Sequence, residues 1–215
     1  MSFILAGYLK NNPRSNEASL KYVIYGAFSS GIMLYGLSII FGLTGTTKFF
    51  AIRDAIATLD STSNLSLTLS TVFVLAGFGY KISAVPFHFW TPDVYEGSPT
   101  PITAYLSVAP KAAGFALMIR FFNQVFVDGD SLSGLGWYSD VSFAWPELLG
   151  IISVATMSLG NLVAIQQNSV KRMLAYSSIE HDRYMFFILY TYPSPPDRTR
   201  SLMPSSALKK KEGGL

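Results

Sequence analysis

Long runs without a charged residue alternate along the chain with short polar segments. Three runs carry no charge: Tyr22–Leu43 with 22 residues, Ser61–Tyr80 with 20 and Leu148–Val170 with 23. A fourth run, Gly97–Ile119, is broken only by Lys111. Because about 20 mostly apolar residues in a helix cross a bilayer core of about 30 Å, each run is long enough to span a membrane. We therefore predict four membrane helices, at residues 17–43, 63–86, 98–122 and 146–170.

The segments between these runs are polar or rich in turn-forming residues. Thr91–Pro99 combines Pro, Gly and acidic residues, which predicts a compact turn. Asn123–Trp145 contains three Gly and three Asp, together with aromatic residues that suit a membrane interface. Pro86 and Pro110 fall inside predicted helices, where proline removes a backbone hydrogen bond. The predicted fold is an all-α, polytopic transmembrane helix bundle with four spanning helices, two of them interrupted by proline.

The composition agrees with a membrane protein. Charged residues make up 13% of the 215 residues and hydrophobic residues 50%, whereas an average soluble domain has about 25% charged residues. The absence of cysteine excludes disulfide scaffolds, thiolate zinc sites, iron–sulfur clusters and cysteine nucleophiles. The sequence has no phosphate-binding glycine loop, HExxH motif or paired-histidine spacing. We therefore expect no cofactor and no metal to be bound by this chain.

The end of the chain differs in composition from the rest. Residues 180–215 hold six Lys/Arg and four Asp/Glu, which accounts for +2 of the net charge of +3. Their one apolar stretch, Tyr184–Tyr192, is only nine residues long and is followed by three prolines. We divide the chain into a membrane domain, 1–179, and a Pro-rich basic tail, 180–215, which we expect to be disordered. Because the basic balance comes mainly from this tail, it does not predict a nucleic-acid partner.

The distribution of Lys and Arg also gives an orientation. With four crossings, both ends of the membrane domain lie on the same side as the turn between the second and third helices. That side carries four Lys/Arg residues near the membrane and the opposite side carries three. Since cytoplasmic loops have an excess of Lys and Arg, the count favours a cytoplasmic N-terminal side.

Ionisable residues in the membrane segments are the candidates for chemistry. Even low estimates put the cost of a charge at the centre of a membrane helix at about 2.5–3.5 kcal/mol. Glu17 and Lys21 are four residues apart at the start of the first helix, in the favourable order for an ion pair. An interfacial anchor pair is an equally good interpretation. The five candidates are Glu17, Lys21, Lys81, His88 and Lys111.

Two of these lysines lie next to a proline. Lys81 precedes Pro86 by five residues, and Lys111 directly follows Pro110. Because irregular backbone at membrane depth is tolerated only beside protein or a water-filled cavity, both lysines suit proton binding and release. The alternative for Lys81 is a snorkelling side chain near a helix end. His88 would share a face with Lys81 if the helix continued through Pro86, although a structural histidine is the alternative.

Four stretches together resemble one family. They resemble subunit N (also called subunit 2) of the proton-pumping NADH–quinone oxidoreductase, respiratory complex I, and of its photosynthetic relatives. The resemblance extends over residues 2–179. The stretches are Arg14–Tyr22 (RSNEASLKY), Lys81–Pro101 (KISAVPFHFWTPDVYEGSPTP), Leu106–Ala113 (LSVAPKAA) and Val170–Ile179 (VKRMLAYSSI).

The resemblance implies an antiporter-like membrane subunit and a role for each candidate. Lys81 resembles the lysine of a discontinuous helix that forms half of a proton channel. Lys111 resembles a central-axis lysine on the next helix, and His88 a relay histidine. Glu17 and Lys21 match a further polar pair. The PDVYEG turn, residues 92–97, is implied to lie on the cytoplasmic or stromal side.

The resemblance also implies partners, cofactors and a location. The partners are other membrane-arm subunits, the lipid bilayer and protons, with no nucleic acid. NAD(P)H, quinone, flavin and iron–sulfur clusters are implied to bind elsewhere in the complex. The location is a bacterial plasma membrane or a thylakoid membrane, with an organelle inner membrane as a further option.

The sequence departs from the family at both ends. The family's key glutamate, which pairs with the lysine at the Lys81 position, is expected on a helix before Met1. After Ile179 the family continues into further helices, whereas this chain turns to a different sequence. We expect a middle portion of the subunit that is inactive alone. Two alternatives stay open: a subunit of a multisubunit cation/proton antiporter, and an inert truncated membrane fragment.

Overall fold

The fold is helical throughout the part of the chain that the structure describes. This structure, a computed structural model, describes residues 2–59, 61–126 and 145–191. In those ranges it contains a 3₁₀ turn at Ser61–Ser63 and the helices α1 (Ser2–Ala6), α2 (Pro13–Thr44), α3 (Phe49–Ala57), α4 (Asn64–Ile82), α5 (Trp90–Gly97), α6 (Thr100–Phe126), α7 (Trp145–Ile165) and α8 (Val170–Thr191).

Four of these helices are long and apolar enough to cross a membrane. They are α2, α4, α6 and the Leu148–Ile165 portion of α7. Each overlaps one predicted span, so the all-α class and the four spans are confirmed. The predicted loop 123–145 and the Pro-rich end of the predicted tail lie largely outside the described residues, which omit 127–144 and 192–215.

Local signals fix both ends of α2. The side chain of Asn12 accepts a hydrogen bond from the backbone N–H of Arg14 at 3.0 Å, and Pro13 occupies the first helical position. Gly45 ends the helix with φ +67°, and its N–H bonds to the carbonyl of Phe41. The helix therefore begins four residues before the predicted start. Its 32 residues extend about 48 Å at 1.5 Å per residue, well beyond a bilayer core.

Glycines allow α2 and α4 to pack closely. A Cβ added at Gly36 would lie 2.7 Å from the carbonyl oxygen of Ser70, and one at Gly77 would lie 2.5 Å from Cβ of Met33. Small residues at such positions let the backbones of membrane helices approach each other. A hydrogen bond from the hydroxyl of Tyr80 to the carbonyl of Tyr22, 2.9 Å, also joins the two helices.

The predicted helix 63–86 ends four residues early, at Ile82. Ser83 follows with φ +61°, and its N–H bonds to the carbonyl of Tyr80. The N–H of Ala84 bonds to the carbonyl of Gly79, which completes a Schellman cap. Pro86 thus lies in the connection after α4, and its placement inside a helix was wrong. Pro110 does lie inside α6, as predicted.

The predicted turn at Thr91–Pro99 was also wrong, because α5 occupies most of it. Pro92 stands in the first turn of this helix, where a backbone N–H has no helical partner to lose. Trp90, Val94 and Tyr95 are buried there, and their burial outweighs the turn-like composition. The tail boundary also needs correction: α8 runs through residue 179 to Thr191, so residues 180–191 are helical.

Candidate functional site

The structure separates the five predicted residues by burial. Lys111 and His88 are buried, with 3% and 7% of their surface exposed. Lys81 is exposed, and the side chains of Glu17 and Lys21 are 61% and 36% exposed. Lys81 and His88 do not share a helix face, because the left-handed Ser83 ends α4 between them and the helix does not continue through Pro86.

Lys111 lies inside the bundle on α6, directly after Pro110. Its Nζ donates a hydrogen bond to Oγ of Ser178 on α8 at 3.1 Å. The same ammonium lies 5.9 Å from the centroid of the Tyr95 ring on α5, within the range of a cation–π contact. The position of Lys111 within an otherwise uncharged run agrees with this burial.

Lys81 lies in the last turn of α4, beside α6. A Cβ added at Gly114 would lie 3.4 Å from Cβ of Lys81. Gly114 is three residues, about one turn, after Lys111 on α6, so Lys81 lies beside the same helix that carries Lys111. The head group of Lys81 is exposed in this chain.

His88 lies in the connection between α4 and α5. Its ring stacks on Phe89 at a centroid distance of 4.5 Å and meets the edge of Tyr176 on α8 at 6.5 Å. Its Nδ1 is buried and has no hydrogen-bond partner in the described part of the chain. A buried polar atom of this kind usually binds water or another polar group, which fits a residue that exchanges protons.

Side chains satisfy the backbone where α4 breaks. The indole Nε1 of Trp90 donates to the carbonyl of Tyr80 at 2.9 Å, and the hydroxyl of Thr91 donates to Oγ of Ser83 at 2.7 Å. The backbone N–H of Val85 donates to Oγ1 of Thr156 on α7 at 3.1 Å. These bonds meet the requirement that irregular backbone at membrane depth be satisfied within the protein.

Aromatic packing holds the two sides of this break against α2. The ring of Tyr22 stacks on Trp90 at 4.7 Å, and Tyr80 lies 5.1 Å from Trp90. Phe3 of α1 meets the edge of Tyr22 at 4.6 Å. The position of the break, and with it that of Lys81 and His88, is therefore fixed by packing from several helices.

Glu17 and Lys21 belong to a second group, which we name the ion cluster: Glu17, Lys21, Asp93, Glu96 and Arg172. Nζ of Lys21 lies 2.7 Å from both a Glu17 and an Asp93 oxygen. Nη1 of Arg172 lies 3.1 Å from Asp93 and 3.1 Å from Glu96. The predicted Glu17–Lys21 pair is thus present, and the cluster joins α2, α5 and α8.

The ion cluster surrounds an open cavity of about 280 Å³. Although partial burial lowers the pKa of Arg172, its hydrogen bond with Glu96 and the charges of Asp93 and Glu96 raise it above the ordinary value. Arg172 therefore stays protonated beside two carboxylates. The cavity is lined by Arg14, Glu17, Ala18, Lys21, Asp93, Glu96, Gly97 and Arg172.

Sequence reasoning missed the residues that α5 and α8 contribute. Asp93 and Glu96 are three residues apart, and they lie on one face once their segment is recognised as a helix. Arg172 and Tyr176 have the four-residue spacing of a helix face on α8. Ser178 gave no signal, because its contact with Lys111 depends on how α8 packs against α6.

Comparison with known proteins identifies the family. The family model described as "NADH:quinone oxidoreductase/Mrp antiporter, TM" matches residues 1–194. The chain belongs to this family. It is therefore an integral membrane protein of the antiporter-like class, as its four apolar helices indicate.

Individual family members are similar over most of this chain. NADH-quinone oxidoreductase subunit N 2 of Chloroherpeton thalassium is 55% identical over 185 residues, which cover 86% of this chain and 35% of that protein. NAD(P)H-quinone oxidoreductase subunit 2 of Microcystis aeruginosa is 51% identical over 179 residues, 83% of this chain and 33% of that protein. The chain thus spans about a third of the length of these relatives.

A solved structure supports the same assignment. A chain of respiratory complex I from Thermus thermophilus, solved with bound aureothin, superposes with a TM-score of 0.68 and 34% sequence identity. The match covers 88% of this chain and 37% of that one. The resemblance inferred from the sequence motifs is confirmed.

Proposed function

We propose that this chain forms part of the proton-translocating membrane arm of an NADH- or NAD(P)H–quinone oxidoreductase. Protons would pass through Lys111, His88 and Lys81, driven by quinone reduction elsewhere in the complex. The observation that carries the proposal is Lys111, a lysine 3% exposed in a membrane helix of this family. A charge in this position is costly, which makes a functional reason the default explanation.

The surroundings of Lys111 suit the gain and loss of a proton. Burial disfavours the charged ammonium, while the Ser178 hydroxyl and the Tyr95 ring favour it. In the proposed mechanism, a change in nearby charge moves the amine between its two forms. His88 and Lys81, on either side of the α4 break, are the proposed neighbours in the proton path.

The ion cluster is the proposed entrance to this path. Its cavity of about 280 Å³ has room for several water molecules, and its carboxylates offer sites where a proton binds. Lys21 contacts Glu17 and Asp93 at once, so a proton that binds either carboxylate would change the charge beside Lys21. In this scheme Glu17 and Lys21 belong to the relay at its surface end.

Electron transfer is assigned to other subunits. We place NAD(P)H, flavin, iron–sulfur clusters and quinone outside this chain and expect it to contact other membrane-arm subunits and lipid. The proposed location is a bacterial plasma membrane or a thylakoid membrane, in keeping with relatives in Chloroherpeton thalassium and Microcystis aeruginosa. The N-terminal side, with the ion cluster, is the proposed cytoplasmic or stromal side.

Purification of the tagged chain from its own cells tests this assignment. A proton-pumping complex predicts that NADH- or NADPH-dependent quinone reductase activity is enriched with the tag. An antiporter subunit predicts instead that the tag recovers no such activity and that its loss impairs growth at high sodium and high pH. The second result would overturn the proposal.

The isolated chain provides a separate test. Because it spans about a third of the length of its relatives, we expect no proton flux when it is placed alone in liposomes with a pH gradient. A flux that Lys111→Ala abolishes would contradict this expectation and would make the chain a complete channel. Recovery of a stable chain in no complex at all would support an inert fragment and overturn the proposed function.

A further inference from the structure

We propose that Ser178 is a positioning residue that binds the amine of Lys111 in both its protonated and its neutral form. The inference rests on the proposed function, because it takes Lys111 to be a proton carrier. It assigns a role to α8, a helix that contributed no residue to the site predicted from the sequence.

The geometry places the Ser178 hydroxyl between two groups. Its Oγ accepts a hydrogen bond from Nζ of Lys111 at 3.1 Å and donates one to the backbone carbonyl of Ala175 at 2.8 Å. Lys111 is buried, and Ser178 is half-buried. With its hydrogen directed at Ala175, the hydroxyl presents its lone pairs to the ammonium.

A hydroxyl can serve either form of lysine. It has one donor hydrogen and two acceptor lone pairs, and its hydrogen rotates to suit its neighbours. When Lys111 passes a proton to the next carrier, the neutral amine gains a lone pair that needs a donor. Rotation of the Ser178 hydrogen from Ala175 to Nζ supplies it, and Ser178 itself neither gains nor loses a proton.

This rotation does not leave the carbonyl of Ala175 without a hydrogen bond. The carbonyl of Ala175 lies within α8, where the helical pattern gives it the N–H of residue 179 as a partner. It therefore keeps one hydrogen bond when the Ser178 hydrogen turns away. The Tyr95 ring differs in this respect, because a π-face attracts the charged form and offers no donor to the neutral amine.

Several titratable groups lie on the helices that carry this contact or pack against it, and among them His88 meets the ring of Tyr176 on α8. Tyr95 faces Lys111 from α5, and Lys81 of α4 lies beside Gly114 of α6. On α8, Arg172 is paired with the ion cluster and Glu180 contacts His181. On α3, Arg53 and Asp54 pair with each other, and α1 has no titratable side chain.

Three substitutions at Ser178 and one control test the role in the intact complex. We would measure proton translocation against pH in membrane vesicles that carry Ser178→Ala, Ser178→Cys, Ser178→Thr or Ser177→Ala. Ser178→Ala removes donor and acceptor, Ser178→Cys weakens both and Ser178→Thr keeps the hydroxyl. Ser177 neighbours Ser178 on α8 and provides the matched control.

We expect the pH profile of proton translocation to shift only in the variants that lose the Ser178 hydroxyl. Because a hydrogen bond to a charged group is stronger than one to a neutral group, Ser178→Ala weakens proton binding by Lys111 and moves the profile about half to one pH unit lower. Ser178→Cys moves it less in the same direction. Ser178→Thr and Ser177→Ala leave it in place.

The outcomes separate this inference from the proposed function. A Ser178→Ala or Ser178→Cys complex with the parental profile would overturn the role of Ser178, as would an equal shift from Ser177→Ala. If Ser178→Ala fails to assemble, the Cys and Thr variants decide by the same comparison. Parental translocation in Lys111→Ala would instead overturn the proposed role of Lys111.

Discussion

Lys21 and Lys111 are both lysines on membrane helices, but the partners that the described residues give them differ in charge. Lys21 is 36% exposed and contacts two carboxylates, each at 2.7 Å. Lys111 is 3% exposed and contacts a hydroxyl and an aromatic ring. Anionic partners hold an ammonium in its charged form, whereas neutral partners tolerate both forms. The comparison separates a lysine held in its charged form at the entrance of the proposed path from a lysine that we propose gains and loses a proton inside it.

Ion pairs and close packing are expected to differ in how much they stabilise the site. Exposed ion pairs contribute between 0 and about 1 kcal/mol each, because water and salt screen them. The ion cluster therefore does little to hold α2, α5 and α8 together, even though it joins all three. We expect close packing and buried hydrogen bonds to hold the site, and three stability measurements test this view.

The largest effect is expected from Gly97→Ala, at the contact between α5 and α2. The new Cβ would lie 2.6 Å from the carbonyl oxygen of Arg14 and 2.7 Å from Cβ of Ala18. We expect a loss of about 3 kcal/mol in the free energy of unfolding, measured with SDS in mixed micelles. Gly31→Ala on α2 is the control, because a Cβ there meets nothing within 4 Å. A loss no greater than the effect of Lys21→Ala would contradict the view that packing dominates.

A smaller effect is expected from Thr156→Val, at the break after α4. The substitution keeps the shape of the side chain but leaves the buried N–H of Val85 without its acceptor. An unsatisfied buried donor should cost about 2 kcal/mol, measured by the same method. Ser158→Ala, at an exposed position on α7, should change stability by less than about 0.5 kcal/mol. Equal losses in the two variants would show that the break does not depend on this bond.

The smallest effect is expected for the Lys21–Asp93 pair. A double-mutant cycle with Lys21→Ala and Asp93→Ala should give a coupling energy below about 1 kcal/mol at low salt. The coupling should fall further at 1 M salt, where the Debye length is about 3 Å. A coupling of several kcal/mol that resists salt would mean that the ion cluster behaves as a buried network.

The spanning helices were predictable because hydropathy is a local property. The runs that make up most of α2, α4, α6 and α7 are visible from the spacing of charged residues alone, and so is the central position of Lys111. Helix α5 was missed because Pro92, Asp93 and Gly97 are typical of turns. Tertiary burial of Trp90 and Tyr95 decides its conformation, and this burial depends on helices distant in sequence.

The partners of the candidate residues were harder to predict than the residues themselves. Asp93 and Arg172 are 79 positions apart, and their contact exists only because α8 packs against α5. Lys81 and His88 would share a helix face only if the helix continued through Pro86. The helix ends earlier because Ser83 adopts a left-handed conformation, which residues other than glycine rarely adopt. No composition rule signals it at that position.

The central claim is that the buried lysine, more than the exposed one, carries protons. The most direct test is the number of protons translocated per NADH or NADPH oxidised in vesicles with Lys111→Ala, Lys21→Ala or the exposed control Lys48→Ala. We predict a ratio near background for Lys111→Ala, a partial decrease for Lys21→Ala and the parental ratio for Lys48→Ala. A parental ratio in Lys111→Ala, or a larger loss in Lys21→Ala, would contradict the claim.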